Sequence, residues 1–244
     1  MSVADESEDK PSGCKRLHCG NYSEARRTLL PDSLRREARV YDRGMKKVPA
    51  SDVTAFILAG GKSSRMGRDK AFVNFEGRTL LARALDLAGS VSSNVRIVGS
   101  HEKFAPFGSV VEDIFRDCGP LGGIHAALRS SATELNVLLA VDTPFVSREF
   151  LEYLIGKARA APEAAVVVPR CDGGLQPLCA VYREEFAAAA ENALNAGRNR
   201  IDLLFDMVPT RMIEEEELEA ADFPRDIFRN LNAPQDLHAQ KRKA

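Results

Sequence analysis

The sequence predicts an α/β domain with a mostly parallel sheet covered by helices on both faces. Three observations carry this. From Val53 onward, short apolar runs alternate with stretches of helical periodicity. The connections between them are short, as in units that cross over from one parallel strand to the next. The strand candidates are continuously apolar rather than alternating, which marks strands buried on both sides. The chain has 244 residues, 44% of them hydrophobic, enough for one large domain or two small ones.

Residues 53–59 form the first strand, and a glycine-rich loop follows it. Leu80, Leu81, Ala84, Leu85 and Ala88 then recur at helical spacing. Residues 94–98 and 109–111 are the next strands, the latter ending at Glu112-Asp113. A helix over 120–130 starts at Gly119-Pro120, where proline's missing N–H does no harm. Residues 137–141 form a central strand ended by Asp142-Thr143-Pro144, and Ser147 caps the helix after it. Strands are expected over 165–168, 178–182, 210–213 and 228–231, helices over 184–195 and 200–205, and a last helix from Pro234. Residues 1–50 are charged, serine-rich and poor in aliphatic clusters. They are read as a disordered leader to a domain spanning 51–244. Met45, just ahead of Lys46-Lys47 and the first strand, is a candidate native start, which would make residues 1–44 a translation artefact.

Lys and Arg total 34 against 35 Asp and Glu, so nothing pulls the chain as a whole toward nucleic acid or an anionic membrane. No apolar run approaches the roughly 20 residues of a membrane span. The N-terminus is too polar for a secretory signal, which leaves the triplet Asn21-Tyr22-Ser23 without support as a glycosylation site. Five irregularly spaced cysteines fit a reduced, cytoplasmic protein. Cys14, His18 and Cys19 lack the second cysteine pair that a tetrahedral zinc site needs. The four histidines are scattered and assemble no triad.

In a parallel sheet the ligand crevice lies beyond the carboxyl ends of the strands. Gly60-Gly61, Asp113 and Asp142 each follow a predicted strand, so all can face one crevice. Gly60 and Gly61 permit close backbone approach, and exposed N–H groups there can cradle phosphate oxygens. Lys62, Arg65, Arg68 and Lys70 follow within nine residues, a density of cations that suits a triphosphate. The stretch matches neither the Walker loop nor the dinucleotide fingerprint, and a plain strand-to-helix turn with exposed cations would read the same. Asp142, at the end of the most apolar strand, is a natural Mg²⁺ ligand; a turn aspartate before proline is the alternative. Asp113 can hold a ribose, a base or a metal-bound water, or be a plain loop carboxylate. Asn230 and Asn232 carry acceptable Mg²⁺-ligating oxygens in ordinary turn chemistry. Glu214–Glu217 reads as a solvated acidic face.

Together these residues resemble the molybdenum cofactor guanylyltransferases (MobA). The resemblance rests on Leu58-Ala59-Gly60-Gly61, Ser64-Arg65-Met66-Gly67, Asp69-Lys70, Glu112-Asp113, Gly119-Pro120-Leu121-Gly122-Gly123, Asp142-Thr143-Pro144, Gln176-Pro177-Leu178 and Asn230-Leu231-Asn232-Ala233-Pro234. It covers residues 53–240. It implies a Rossmann-like three-layer α/β/α sandwich of the nucleotide-diphospho-sugar transferase type. It also implies Mg²⁺-dependent transfer of GMP from GTP to the phosphate of Mo-molybdopterin. By position, Leu58, Ala59, Gly60, Lys70 and Asp113 would contact GTP, and Asp142 both GTP and Mg²⁺. Arg65 and Lys70 are assigned to the triphosphate and the departing pyrophosphate. Val98-Gly99-Ser100 stands where some members place an Asn contact, so Ser100 is its candidate substitute. A cytoplasmic monomer is expected, with transient contact to molybdoenzyme-maturation proteins. The rival readings are CMP transfer to the same pterin, transfer to another phosphorylated acceptor, and a non-catalytic nucleotide-binding accessory protein.

Overall fold

A computed structural model of the chain describes residues 52–60 and 69–231. The leader, Gly61 to Arg68 of the loop (Arg65 among them), Asn232 and the helix expected from Pro234 lie outside the described residues.

The central strand is β1 (Val53–Leu58), whose first five residues are buried. Val53, Ala55 and Ile57 face one core cluster and Phe56 the other, so the run needs no polar face. A hairpin of β2 (Asn74–Phe75) and β3 (Arg78–Thr79) leads into α1 (Leu80–Val91). Thr79 caps α1 by accepting the Ala82 N–H at 3.2 Å. Next come β4 (Asn94–Val98), the short α2 (His101–Phe104), β5 (Ser109–Val111), α3 (Pro120–Ser130) and β6 (Leu135–Ala140). They are followed by α4 (Arg148–Ala160), β7 (Val166–Cys171), β8 (Gly174–Leu175), β9 (Cys179–Tyr182), α5 (Glu185–Asn195), β10 (Thr210–Ile213) and α6 (Glu215–Ala220).

The sheet runs β10-β7-β9-β6-β1-β4-β5, with β8 paired to β7. Strands β6, β1, β4 and β5 are mutually parallel, as are β7 and β10. Strand β9 is antiparallel to both of its neighbours. Buried residues of α1 and α4 belong to one core cluster and those of α3 and α5 to the other, so the sheet is the middle of three layers. Each fully buried Leu, Ile or Phe contributes about 1.5–3 kcal/mol, and Phe56, Ile57, Leu121, Phe150 and Phe186 are all fully enclosed.

Expectation and structure part at the edges of the fold. Residues 200–205 form only a single 3-10 turn, Asp202–Leu204. Residues 228–231 are not a strand: a 3-10 turn, Arg225–Phe228, is followed by unpaired extended chain. Two hairpins were not foreseen. Glu76-Gly77 and Asp172-Gly173 place both of their residues at positive φ (50° and 85°, 51° and 71°), the geometry of a tight two-residue turn. The second hairpin reverses the chain, which then passes Gln176-Pro177-Leu178 and enters the sheet as antiparallel β9.

Candidate active site

β1 leaves the sheet between two neighbours reached by opposite crossovers, β4 and β6, and a crevice opens at their carboxyl ends. Ala59 and Gly60 lie on its floor. Their N–H groups both donate to the Val98 carbonyl at 3.0 Å. For Gly60 this corrects the expectation of an exposed N–H offered to phosphate, because the Val98 carbonyl already accepts it; Gly61 lies outside the described residues. A Cβ on Gly60 would stand 3.5 Å from the Gly99 Cα, so the two strand ends touch backbone to backbone. A cleft of about 370 Å³ results, lined by Gly60, Asp69, Ser100, Lys103, Asp113 and Arg116 among others.

Lys70 opens a 3-10 turn, Lys70–Phe72, capped by Asp69. Its Nζ lies 2.9 Å from Asp142 Oδ2, with side-chain exposures of 26% and 19%. At that burial the attraction is screened less than in a surface pair. Asp142 follows β6 in a firm turn. Thr143 Oγ1 donates to the Ala140 carbonyl at 2.8 Å, and the Leu231 N–H donates to the Asp142 carbonyl at 3.0 Å. The second bond brings the Asn230-Leu231 segment to this turn, although the two residues are 89 positions apart in the chain.

Asp113 stands on the other bank, beyond β5. Burial raises its carboxyl from 3.8 to about 6; Glu112 adds to the rise and Arg116 opposes it. The neighbouring helix α3 can come this close because of its glycines. Gly119, at φ 65°, turns the chain into α3. A Cβ on Gly122 would meet the Phe115 carbonyl oxygen at 2.7 Å, and one on Gly123 would meet Leu58 and Val98 at 3.3 Å. The raised pKa has a sign that can be tested. The folded chain resists ionising Asp113, so its stability is fully present below about pH 3.8 and falls as pH rises through about 6. Asp113→Asn is therefore expected to raise the melting temperature at pH 7, with the gain vanishing near pH 4. Melting curves of both proteins from pH 4 to 8 check this; a gain that does not change with pH would contradict it.

Residues 55–207 match the MobA-like NTP transferase domain. A molybdenum cofactor guanylyltransferase of Desulfosudis oleivorans is 36% identical over 188 residues, 76% of this chain and 92% of that protein. The chain belongs to the MobA-like NTP transferase family. A probable molybdenum cofactor guanylyltransferase of Halalkalibacterium halodurans is 31% identical, over 76% of this chain and 96% of the relative. Among solved structures, molybdopterin-guanine dinucleotide biosynthesis protein A from Archaeoglobus fulgidus aligns with a TM-score of 0.66 at 29% identity, covering 76% of this chain and 95% of that one. The 2-C-methyl-D-erythritol 4-phosphate cytidylyltransferase of Thermus thermophilus shares the fold, with a TM-score of 0.54 at 17% identity over 75% of this chain and 94% of that one.

The remaining residues singled out from the sequence sort clearly on this MobA-like framework. Leu58 ends β1 half-buried, and its carbonyl accepts the Val141 N–H at 3.2 Å. Ser100 lines the cleft where the family Asn was sought. Glu112 also lines the cleft, and its Oε1 accepts the His101 N–H at 2.9 Å and so caps α2. Asp142 does not line the 370 Å³ cleft that Asp113 lines; the two carboxylates sit on different banks, linked through Asp69-Lys70. His101 is exposed, and His125 is buried with its ring 5.1 Å from that of Phe115 and 3.5 Å from the Glu191 carboxylate. Within the acidic run, Glu217 is no solvated face: Arg211 at 2.6 Å, helped by Lys157 at 3.0 Å, holds its carboxyl at about 2. Asp69 and Lys103 are cleft residues to which sequence reasoning gave no role. No helix among the described residues is long and apolar enough to cross a membrane.

Proposed function

We propose that this MobA-like chain transfers GMP from GTP to the terminal phosphate of molybdopterin, releasing pyrophosphate. The observation that carries the reading is the Lys70–Asp142 pair at the carboxyl ends of the central strands. The names of its relatives in the family support the choice of nucleotide and acceptor. An acceptor phosphate oxygen attacks the α-phosphorus of GTP; that P–O bond forms as the bridge to the β-phosphorus breaks and its electrons leave with pyrophosphate. The nucleophile is already anionic, so no general base is needed, in keeping with a crevice that has no histidine at its centre among the described residues. Catalysis rests on alignment and charge neutralisation.

In this reading Ala59, Gly60 and Asp113 border the nucleoside, while Lys70 exchanges Asp142 for the triphosphate. Arg65, outside the described residues, keeps the role with the triphosphate that the family resemblance gives it. Asp142 fits Mg²⁺: it is a hard oxygen donor at a strand end, and the Lys70 ammonium shows that it already holds a cation. Such an ion, when bound, supplies charge neutralisation at the phosphate oxygens. Incubation with molybdopterin, Mg²⁺ and each of the four nucleoside triphosphates, with pyrophosphate detection, tests the reading. Release with GTP alone is expected. Release with CTP instead would make it a cytidylyltransferase, and binding without release by any triphosphate would make it an accessory protein.

A further inference from the structure

Lys70 can serve a triphosphate only if its turn is held where Nζ reaches both Asp142 and the crevice. Asp69, the residue before it, makes three bonds that do this. Its Oδ1 accepts the Ala71 N–H at 3.2 Å, and its main-chain carbonyl accepts the Phe72 N–H at 3.1 Å, so it caps the turn with side chain and backbone together. Its Oδ2 lies 2.7 Å from Lys103 Nζ, on α2. The anchor is itself fixed. Phe104 packs so tightly on Gly99 that a Cβ there would come within 2.8 Å of the ring, and Glu112 caps α2 at His101. From the other end of the Lys70 turn, Phe72 stacks on Phe104 and Phe107, with ring centroids 5.9 and 5.6 Å away. The turn is thus tied to α2 on both sides of Lys70, across the mouth of the cleft that Asp69 and Lys103 line.

We propose that Asp69 is a positioning residue: by capping the turn and pairing with Lys103 it holds the Lys70 ammonium between Asp142 and the triphosphate site. Its effect on turnover rests on the transfer reading above, whereas its hold on Lys70 is a property of the free protein. A carboxylate suits both tasks, because one oxygen takes the amide and the other the ammonium. Asn keeps the cap and loses the ion pair; Ala loses both.

The test has a ligand-free arm and a binding arm. In the first, the intact protein without nucleotide is acylated with an amine-reactive ester and the rate at Lys70 is read by peptide mass spectrometry. Asp69→Ala is expected to raise that rate about fivefold, the population shift of a typical cap loss. Asp69→Asn and Lys103→Met are each expected to raise it about twofold, as a partly exposed ion pair allows, and to be no worse in combination. Melting temperatures confirm that each variant is folded. An unchanged Lys70 rate in folded Asp69→Ala overturns the proposal. If that variant does not fold, additive effects of Asp69→Asn and Lys103→Met overturn it instead.

In the second arm, GTP affinity is measured by calorimetry in a cycle with Lys70→Ala. Asp69→Ala is expected to weaken binding about fivefold in the wild-type background, following the same cap loss, and not at all once Lys70 is gone. Equal weakening in both backgrounds would show that Asp69 touches the ligand itself and end the positioning role. A wild-type protein that binds no triphosphate would end the transfer reading, and the acylation rates would still decide the hold on Lys70.

Discussion

Asp142→Ala is expected to slow GMP transfer about 10³-fold, the several kcal/mol that charge neutralisation at a transferring phosphate supplies, while leaving the fold intact. The fold should survive because the turn does not depend on the carboxylate. Thr143 closes it through the Ala140 carbonyl, and Leu231 docks on the Asp142 main chain, which the variant retains. The side chain is 19% exposed and its partner Lys70 26% exposed with further contacts of its own, so truncation leaves no fully buried charge. GTP affinity measured without metal should hold or tighten, since an anion facing the triphosphate has gone and its cation is released. Pyrophosphate release gives the rate, and calorimetry in the presence of a chelator gives the affinity. Asp142→Asn separates geometry from charge: it still accepts a hydrogen bond from Lys70 and should be nearly as slow as the alanine variant. Near-normal transfer by a folded Asp142→Ala protein would remove Asp142 from the reaction.

The sheet was legible because its strands are short apolar runs with polar punctuation. Residues 94–98, 109–111 and 210–213 were placed to the residue, and Ser147 caps α4 as expected, accepting the Phe150 N–H at 3.2 Å. What escaped depends on partners far along the chain. The orientation of β9 follows from Asp172-Gly173, a two-residue turn signal whose effect depends on pairing with β7. Residues 228–231 have strand-like composition, yet they meet the Asp142 turn by one hydrogen bond and pair with no strand. In the site, Asp113 and Asp142 stood out as carboxylates that follow strand ends, and Lys70 as one of the cations after Gly60-Gly61. Their division between two banks could not be read, because it depends on strand order. Nor could the tie between Asp69 and Lys103, residues 34 positions apart that meet only because α2 folds back over the end of β4.

Lys70→Ala is expected to lower kcat/KM for GTP about 100-fold, chiefly through KM, the size of one or two charge-assisted bonds to phosphate. The reasoning turns on what Lys70 does before GTP arrives. In the free protein its charge is spent on Asp142 at 2.9 Å, so the ammonium is held in place and partly desolvated in advance. A triphosphate offers it more negative charge than one carboxylate does, and exchanging one anion for the other loses little side-chain entropy because the turn is already fixed. Lys70→Arg should restore only part of the affinity: a planar guanidinium can pair with Asp142 side-on but is not the compact charge that this turn delivers. Stability should fall modestly in Lys70→Ala, which leaves a largely buried carboxylate without this partner, and less in Lys70→Arg. Steady-state kinetics and melting curves together decide between a ligand group and a strut. Unchanged GTP affinity with a lowered melting temperature would mean that the ammonium never leaves Asp142, and that the pair braces β6 against the loop after β1. Lost affinity with at most a modest fall in melting temperature is the result required if Lys70 hands itself from carboxylate to phosphate.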